Sequence, residues 1–234
     1  MTIHLAGDST LAPTDEGRTS GRADLPLLGW GDELARFTGE TVRNRAVGGA
    51  TTRSFREDGH WEKVASELAA GDTVVLGFGH NDQKEPASLA ASGGYRDRLA
   101  EFIDEVRAAG ARPVLTTSVE RRLFDESGEL RYSHGPYPAA VRELGRELDV
   151  PVIDLNVFTR WLYAYLGEDG SAALFVHGAA AARGIEVDEG LARDNTHYTT
   201  AGAAAVARYV AEALRALDGA GSDLEPLGKW MVRP

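Results

Sequence analysis

Short apolar runs alternate along the chain with longer stretches of helical period. Ile3–Ala6, Thr41–Ala46, Thr73–Phe78, Arg112–Thr117 and Val150–Asp154 read as strands. Between them, 30–38, 95–109, 138–148 and 201–217 carry apolar residues at three- and four-residue spacing and read as helices. Stop signals fall at the joints, with Gly110 ahead of the fourth strand and Gly71 ahead of the third. Regular strand–helix alternation predicts a parallel sheet with helices on both faces. In such a sheet right-handed crossovers gather the carboxyl ends of the strands at one edge, so functional residues should follow strands. Residues 167–193 are rich in Ala and Gly without a clear period and read as a long excursion near that edge. Residues 219–234 form a Gly- and Pro-punctuated tail, with Trp230 and Met231 as its apolar anchor, expected to dock on a domain spanning 1–218.

The chain has 234 residues, which fits one domain with a core large enough to hold a preorganised cleft. A formal net charge of -11 makes the average surface repel phosphate backbones and anionic lipid headgroups, which argues against nucleic-acid and membrane partners. No apolar run approaches the roughly 20 residues needed to cross a bilayer. Met1 precedes no basic segment or long apolar stretch of the secretory type, so a cytoplasmic location is expected. With no cysteine, the chain has neither disulfides nor thiolate chemistry.

Four short segments then carry candidate chemistry. The first strand ends in Gly7-Asp8-Ser9-Thr10, where Ser9 stands exposed as a nucleophile would, although Asp and Ser also serve as helix caps. No Gly-x-Ser-x-Gly elbow occurs, which argues against the α/β-hydrolase arrangement. The second strand runs into Gly48-Gly49, whose N–H groups could line half an oxyanion hole or form an ordinary turn. Asn81, after the third strand in Gly79-His80-Asn81-Asp82, offers an uncharged amide donor at the same edge. His80 reads as a packed neighbour. Asp194, three residues before His197, can fix the imidazole tautomer and stabilise the imidazolium formed when His197 accepts a proton. The pair could also ligate a metal, but the remaining histidines, His4, His60, His134 and His177, are scattered and no ligand spacing surrounds it.

Taken together the four blocks resemble the SGNH, or GDSL-type, hydrolases. Within them, Leu5-Ala6-Gly7-Asp8-Ser9-Thr10, Gly29-Trp30-Gly31, Asn44-x-Ala46-Val47-x-Gly49 and Phe78-Gly79-His80-Asn81-Asp82 are similar to the rhamnogalacturonan acetylesterase group, carbohydrate esterase family 12. Thr10, where the wider family has Leu, sharpens that likeness. The resemblance implies a flavodoxin-like three-layer α/β/α sandwich with five parallel strands in order 2-1-3-4-5. It implies Ser9 as nucleophile, His197 as general base and then acid, and Asp194 as the orienting carboxylate. The oxyanion would be held by the N–H groups of Ser9 and Gly49 and the side chain of Asn81. The implied reaction is two-step transfer of an acetyl group from a pectin-derived, acetylated oligosaccharide to water, without metal or organic cofactor.

Such a substrate is itself anionic, so local positive charge must offset the global repulsion. Arg53 with Arg56, after the second strand, and Arg121 with Arg122, after the fourth, are the candidates to bind it. Their alternative is ion pairing with Glu57, Glu120 or Asp125. Tyr137, with Tyr132, His134 and Trp161, is a candidate platform for a sugar ring. Three rival readings remain: a lipid or thioester hydrolase of the same superfamily, a non-catalytic carbohydrate-binding protein of the same fold, and a metal-dependent deacetylase using Asp194 and His197.

Overall fold

The computed structural model describes residues 1–14, 20, 22 and 24–219; Trp230 and Met231 therefore lie outside the described residues. Five parallel strands, β1 Thr2–Gly7, β2 Thr41–Asn44, β3 Thr73–Gly77, β4 Arg112–Thr116 and β5 Val152–Ile153, form one sheet in the order β2-β1-β3-β4-β5. Nine helices occur among the described residues: α1 Leu34–Thr38, α2 Thr52–Glu57, α3 His60–Ala65, α4 Gly94–Ala108, α5 Tyr137–Leu148, α6 Leu155–Ala172, α7 Val176–Ala181, α8 Glu189–Ala192 and α9 Thr200–Leu217.

The period of two along the central strands divides the core. Ile3, Leu5, Val75 and Val114 point to one face, where Leu34 of α1, Tyr163 of α6 and Val206 and Val210 of α9 cover them. Ala6, Val74, Leu76 and Leu115 point to the other, against Phe55 of α2, Trp61 of α3, Phe102 of α4 and Val141 of α5. Helices on both faces make the three-layer α/β/α sandwich. All five residues of β3 are buried, as the middle of a doubly covered sheet requires, whereas edge strand β2 alternates exposed and partly buried positions.

Several strand ends differ from the expected bounds, most of all β5, expected over Val150–Asp154 and reduced to Val152–Ile153, and the long helix α6 was not expected. β2 ends at Asn44, whose side chain donates to the Leu11 carbonyl at 2.6 Å and accepts from Ala46 N at 3.2 Å, tying the turn after β2 to the turn after β1. The helix read over 30–38 opens as a 3-10 turn, Trp30–Glu33, before α1. Residues 155–172, whose mixture of aromatic, β-branched and polar residues hid its period, form α6, with Leu155, Thr159 and Tyr163 buried at i, i+4 and i+8. Gly167 interrupts it at φ 70°, ψ 178°. The excursion over 167–193 thus holds the end of α6 and two short helices, α7 and α8.

Register brings the strand ends together. Gly7 of β1 lies opposite Gly77 of β3, and Asp8 N donates to the Gly77 carbonyl at 3.2 Å. On the other side Val47 N donates to the Gly7 carbonyl at 3.0 Å, so the turn after β2 sits beside the turn after β1.

Candidate active site

Ser9 is in a turn that continues into no helix, which removes the helix-cap alternative. The turn is shaped by Asp8: its Oδ1 accepts from Thr10 N and Thr10 Oγ1, both at 2.9 Å, while Leu11 N and Ala12 N donate to its carbonyl. Burial pushes the Asp8 carboxyl up from its ordinary range, against the hydrogen bonds from Thr10. Ser9 itself is 8% exposed.

His197 arrives from 188 residues downstream. The segment before α9 is clamped on both sides: Leu28 N donates to the Tyr198 carbonyl at 2.8 Å, Tyr198 N to the Leu28 carbonyl at 3.3 Å, and Thr199 N to the Leu174 carbonyl at 2.9 Å. Beneath it the hydroxyls of Tyr198 and Tyr163 share a buried hydrogen bond of 2.7 Å, and Thr199 caps α9 through Gly202 N at 3.4 Å. So held, His197 Nε2 lies 2.9 Å from Ser9 Oγ and Nδ1 lies 2.7 Å from Asp194 Oδ2. The other Asp194 oxygen accepts from Thr196 N at 2.9 Å and His197 N at 3.0 Å. Burial alone would raise the Asp194 carboxyl; the hydrogen bond and charge of His197 and the two backbone donors hold it below the ordinary carboxylate range. An ionised Asp194 accepts from Nδ1–H, which leaves Nε2 with a lone pair facing the Ser9 hydroxyl. The line can therefore move a proton from Oγ to Nε2.

Gly49 sits at φ 80°, in the left-handed region that favours glycine, with no atom close to where a Cβ would be. An open hollow of about 160 Å³, lined by Val47, Gly49, Ala50, Ser54, Asp58 and His60, adjoins this turn. Asn81 bridges to the same turn, Nδ2 donating to the Ala50 carbonyl at 3.0 Å. Lys84 donates to Asn81 Oδ1 at 2.8 Å. Both ends of the amide are thereby fixed, and one of its two N–H donors is left over. The sequence reading missed Lys84; its position three residues after Asn81, one turn of the 3-10 helix Asp82–Lys84, was the available signal. Glycine at 79 is required twice over, by φ 132° and by Ser118 Oγ, which a Cβ would approach to 2.5 Å.

Asp82, next to Asn81, ties β3 to α2: its Oδ1 accepts from Thr52 N at 2.8 Å and Thr52 Oγ1 at 2.6 Å. Burial raises its carboxyl to about 6 against those hydrogen bonds. His80 is buried and packs edge-on against His134, ring centroids 4.3 Å apart; burial lowers its imidazole well below the ordinary range, keeping it neutral.

The structure sorts the candidate substrate-binding residues. Arg53 pairs with Glu85 at 2.5 Å and with Glu57 at 3.8 Å, and Arg56 pairs with Glu105 at 2.6 Å while lying over the Phe102 ring. Arg122 is turned inward, donating from Nε to Ser171 Oγ at 2.9 Å and from Nη2 to the Glu168 carbonyl. Tyr137 is likewise not a platform: it is 5% exposed, and its hydroxyl donates to the Leu89 carbonyl at 2.8 Å. Packing against Tyr95 and α4 claims its ring. His134 is buried too. Tyr132 is 73% exposed with the Arg160 guanidinium over its ring, and Trp161 stacks on Tyr165. Arg121 is partly exposed and pairs with no carboxylate among the described residues.

A parallel α/β/α sandwich with a serine, a histidine and an aspartate in line at its carboxyl edge is the arrangement of an acyl hydrolase. The chain belongs to the GDSL-like Lipase/Acylhydrolase family, whose sequence model matches residues 5–205. It is 40% identical over 222 residues to the rhamnogalacturonan acetylesterase RhgT of Bacillus subtilis, covering 92% of this chain and 90% of that protein. It is 28% identical to the probable rhamnogalacturonan acetylesterase YesY of the same organism, covering 92% and 93%. The crystal structure of Bacillus subtilis YxiM superposes with a TM-score of 0.75 at 28% identity; the match covers 94% of this chain and 57% of that one. An acetylxylan esterase from Geobacillus stearothermophilus shares the fold, with a TM-score of 0.56 at 17% identity over 91% of this chain and 93% of that one. No helix among the described residues is long and apolar enough to cross a membrane.

Proposed function

We propose that the chain is a serine-dependent carbohydrate acetylesterase that removes acetyl groups from pectin-derived, rhamnogalacturonan-type oligosaccharides. The observation that carries the chemistry is the continuous line from Asp194 through His197 to Ser9 Oγ. The names of the relatives RhgT and YesY support the substrate class.

In the first half-reaction Ser9 Oγ attacks the acetyl carbonyl carbon while His197 Nε2 takes the hydroxyl proton, and Asp194 stabilises the imidazolium. The carbonyl oxygen becomes an oxyanion, which the N–H groups of Ser9 and Gly49 and the spare N–H of Asn81 hold. His197 then returns its proton to the sugar oxygen as the C–O bond breaks, leaving acetyl-Ser9. In the second half a water gives its proton to His197 and attacks the acetyl carbon; the tetrahedral species expels Ser9 Oγ, reprotonated by His197, and acetate departs. Asp82, Lys84 and the Tyr163–Tyr198 pair position these groups without touching the reacting atoms.

Acetate release from acetylated rhamnogalacturonan oligosaccharides and hydrolysis of p-nitrophenyl acetate, measured for wild type and Ser9→Ala, test the proposal. Wild type is expected to release acetate from both and the variant from neither. Undiminished activity in Ser9→Ala, properly folded, would remove Ser9 from the mechanism.

A further inference from the structure

We propose that Arg121 is the specificity-determining residue of this site, a guanidinium held ready for a carboxylate of the substrate, here a uronic acid unit of the acetylated oligosaccharide. The inference rests on the esterase reading above and adds to it the group that recognises the acidic sugar.

Placement comes first. Arg121 follows β4 and lies between the two loops that carry the proposed catalytic groups. Its neighbour Arg122 donates its backbone N–H to the Asn195 carbonyl at 3.0 Å, joining the loop of Asp194 and His197. Its own guanidinium reaches Gln83, two residues beyond Asn81. The backbone is pinned by Glu120, whose Oε1 accepts from Arg121 N at 3.0 Å and from Ser133 N at 3.1 Å, and whose Oε2 accepts from Asn156 Nδ2 at 3.2 Å. A guanidinium on so fixed a loop loses little freedom on binding, which favours bidentate recognition.

Its guanidinium has no ion-pair partner among the described residues, and the carboxylates of Glu120 and Asp8 act on its charge only from beyond salt-bridge distance. Arg53 and Arg56 are neutralised by carboxylates and Arg122 is spent on α6, whereas no described carboxylate comes within salt-bridge distance of the Arg121 guanidinium. Its acceptor is a neutral amide: with the oxygen of Gln83 toward it, Nη1 and Nη2 donate at 2.9 and 3.3 Å and Gln83 nitrogen donates to the Ser133 carbonyl at 3.1 Å. That arrangement conflicts with His134. Burial and the charge of Arg121 push the His134 imidazole down to about 4, so it is neutral; its Nε2–H donates to the Val119 carbonyl at 2.9 Å, and Nδ1 presents a lone pair. Nδ1 lies 3.1 Å from the Gln83 amide and requires an N–H there, and the same orientation lets the amide nitrogen reach the His80 carbonyl at 3.3 Å. One amide cannot face Arg121 with oxygen and His134 with nitrogen at once. A ligand carboxylate that draws the Arg121 guanidinium away from Gln83 removes the conflict, since Gln83 is then free to turn its nitrogen to His134 and His80.

The test compares two versions of one acetylated galacturonate-containing oligosaccharide, with the carboxylates free and methyl-esterified. The wild-type ratio of kcat/KM, acid over ester, is expected to fall roughly 10- to 100-fold in Arg121→Gln, the range for losing a charge-assisted bidentate contact. Arg121→Lys, which keeps the charge but not the fork, should fall between. Thermal melting confirms that each variant is folded. Binding of the deacetylated acidic oligosaccharide, measured by calorimetry on wild type and Arg121→Gln, gives a readout independent of turnover. If acetate is released but neither the ratio nor the binding responds to Arg121, the inference is overturned while the esterase stands. If wild type releases no acetate but binds the acidic sugar through Arg121, the esterase reading fails and the carboxylate site stands. If wild type neither turns over nor binds it, both fall.

Discussion

Asn81→Ala separates the proposed oxyanion donor from the proposed nucleophile, base and orienting carboxylate. The substitution removes the amide that would stabilise the developing negative charge, and it leaves the Ser9–His197–Asp194 line, whose contacts do not involve Asn81, in place. Loss of one such donor typically costs roughly 10²- to 10³-fold in kcat, about 2.7 to 4 kcal/mol of transition-state stabilisation. The structure adds a second, separate cost. Asn81 Nδ2 donates to the Ala50 carbonyl and Lys84 donates to Asn81 Oδ1, so truncation strands one buried acceptor and one cation that is open to water. The stranded acceptor is expected to lower folding stability by about 1 to 3 kcal/mol, and the exposed Lys84 to add little. The two costs are read separately, the first by steady-state hydrolysis of p-nitrophenyl acetate, the second by urea unfolding. Asn81→Asp refines the experiment: it keeps the Lys84 contact and nearly the same shape, but replaces the donors with a carboxylate where negative charge must form. It should be slower than Asn81→Ala. A kcat for Asn81→Ala within tenfold of wild type, or Asn81→Asp faster than Asn81→Ala, would refute the assignment of this amide to the oxyanion.

Two further substitutions probe the electrostatics. Asp194→Asn preserves an acceptor for Thr196 N and His197 N but presents an amide N–H to His197 Nδ1, which forces the proton onto Nε2 and removes the base; kcat should fall by roughly 10⁴-fold in the same ester assay, and a loss below tenfold would contradict the tautomer argument. Asp82 titrates at about 6 in the folded protein against an ordinary 3.8. Its raised value means that the native state holds a proton the unfolded chain releases, so this group's contribution weakens stability as pH rises from about 4 to about 6 and is constant above. A shift of that size corresponds to about 3 kcal/mol. Asp82→Asn, still accepting from Thr52, should gain stability relative to wild type across that window in urea unfolding at stepped pH; a pH-independent difference would show that Asp82 is not the group responsible.

Much of the site was legible because it is written in local chemistry. Period-two alternation fixed which residues of β1 and β3 face each helical layer, and a parallel sheet with right-handed crossovers must bring the ends of β1, β2 and β3 to one edge, so Ser9, Gly49 and Asn81 could be placed together from order alone. Asp194 and His197 are three residues apart, and their hydrogen bond is a property of that short segment. Where side chains of mixed character carried a weak period, as in α6, the element was lost, because its helical state is decided by burying Leu155, Thr159 and Tyr163 against the sheet. The arginines show the same limit at the level of chemistry. Arg53, Arg56, Arg121 and Arg122 all follow strands and looked equivalent in sequence, yet the partners that distinguish them, Glu85, Glu105, Gln83 and Ser171, lie between 32 and 49 residues away. Sequence by itself determined the sheet edge that carries the proposed catalytic groups and which residues reach it, since both follow from periodicity and chain order. Which guanidinium is left without an ion-pair partner among the described residues was decided only by tertiary structure, because pairing depends on which distant side chains folding brings within hydrogen-bonding reach.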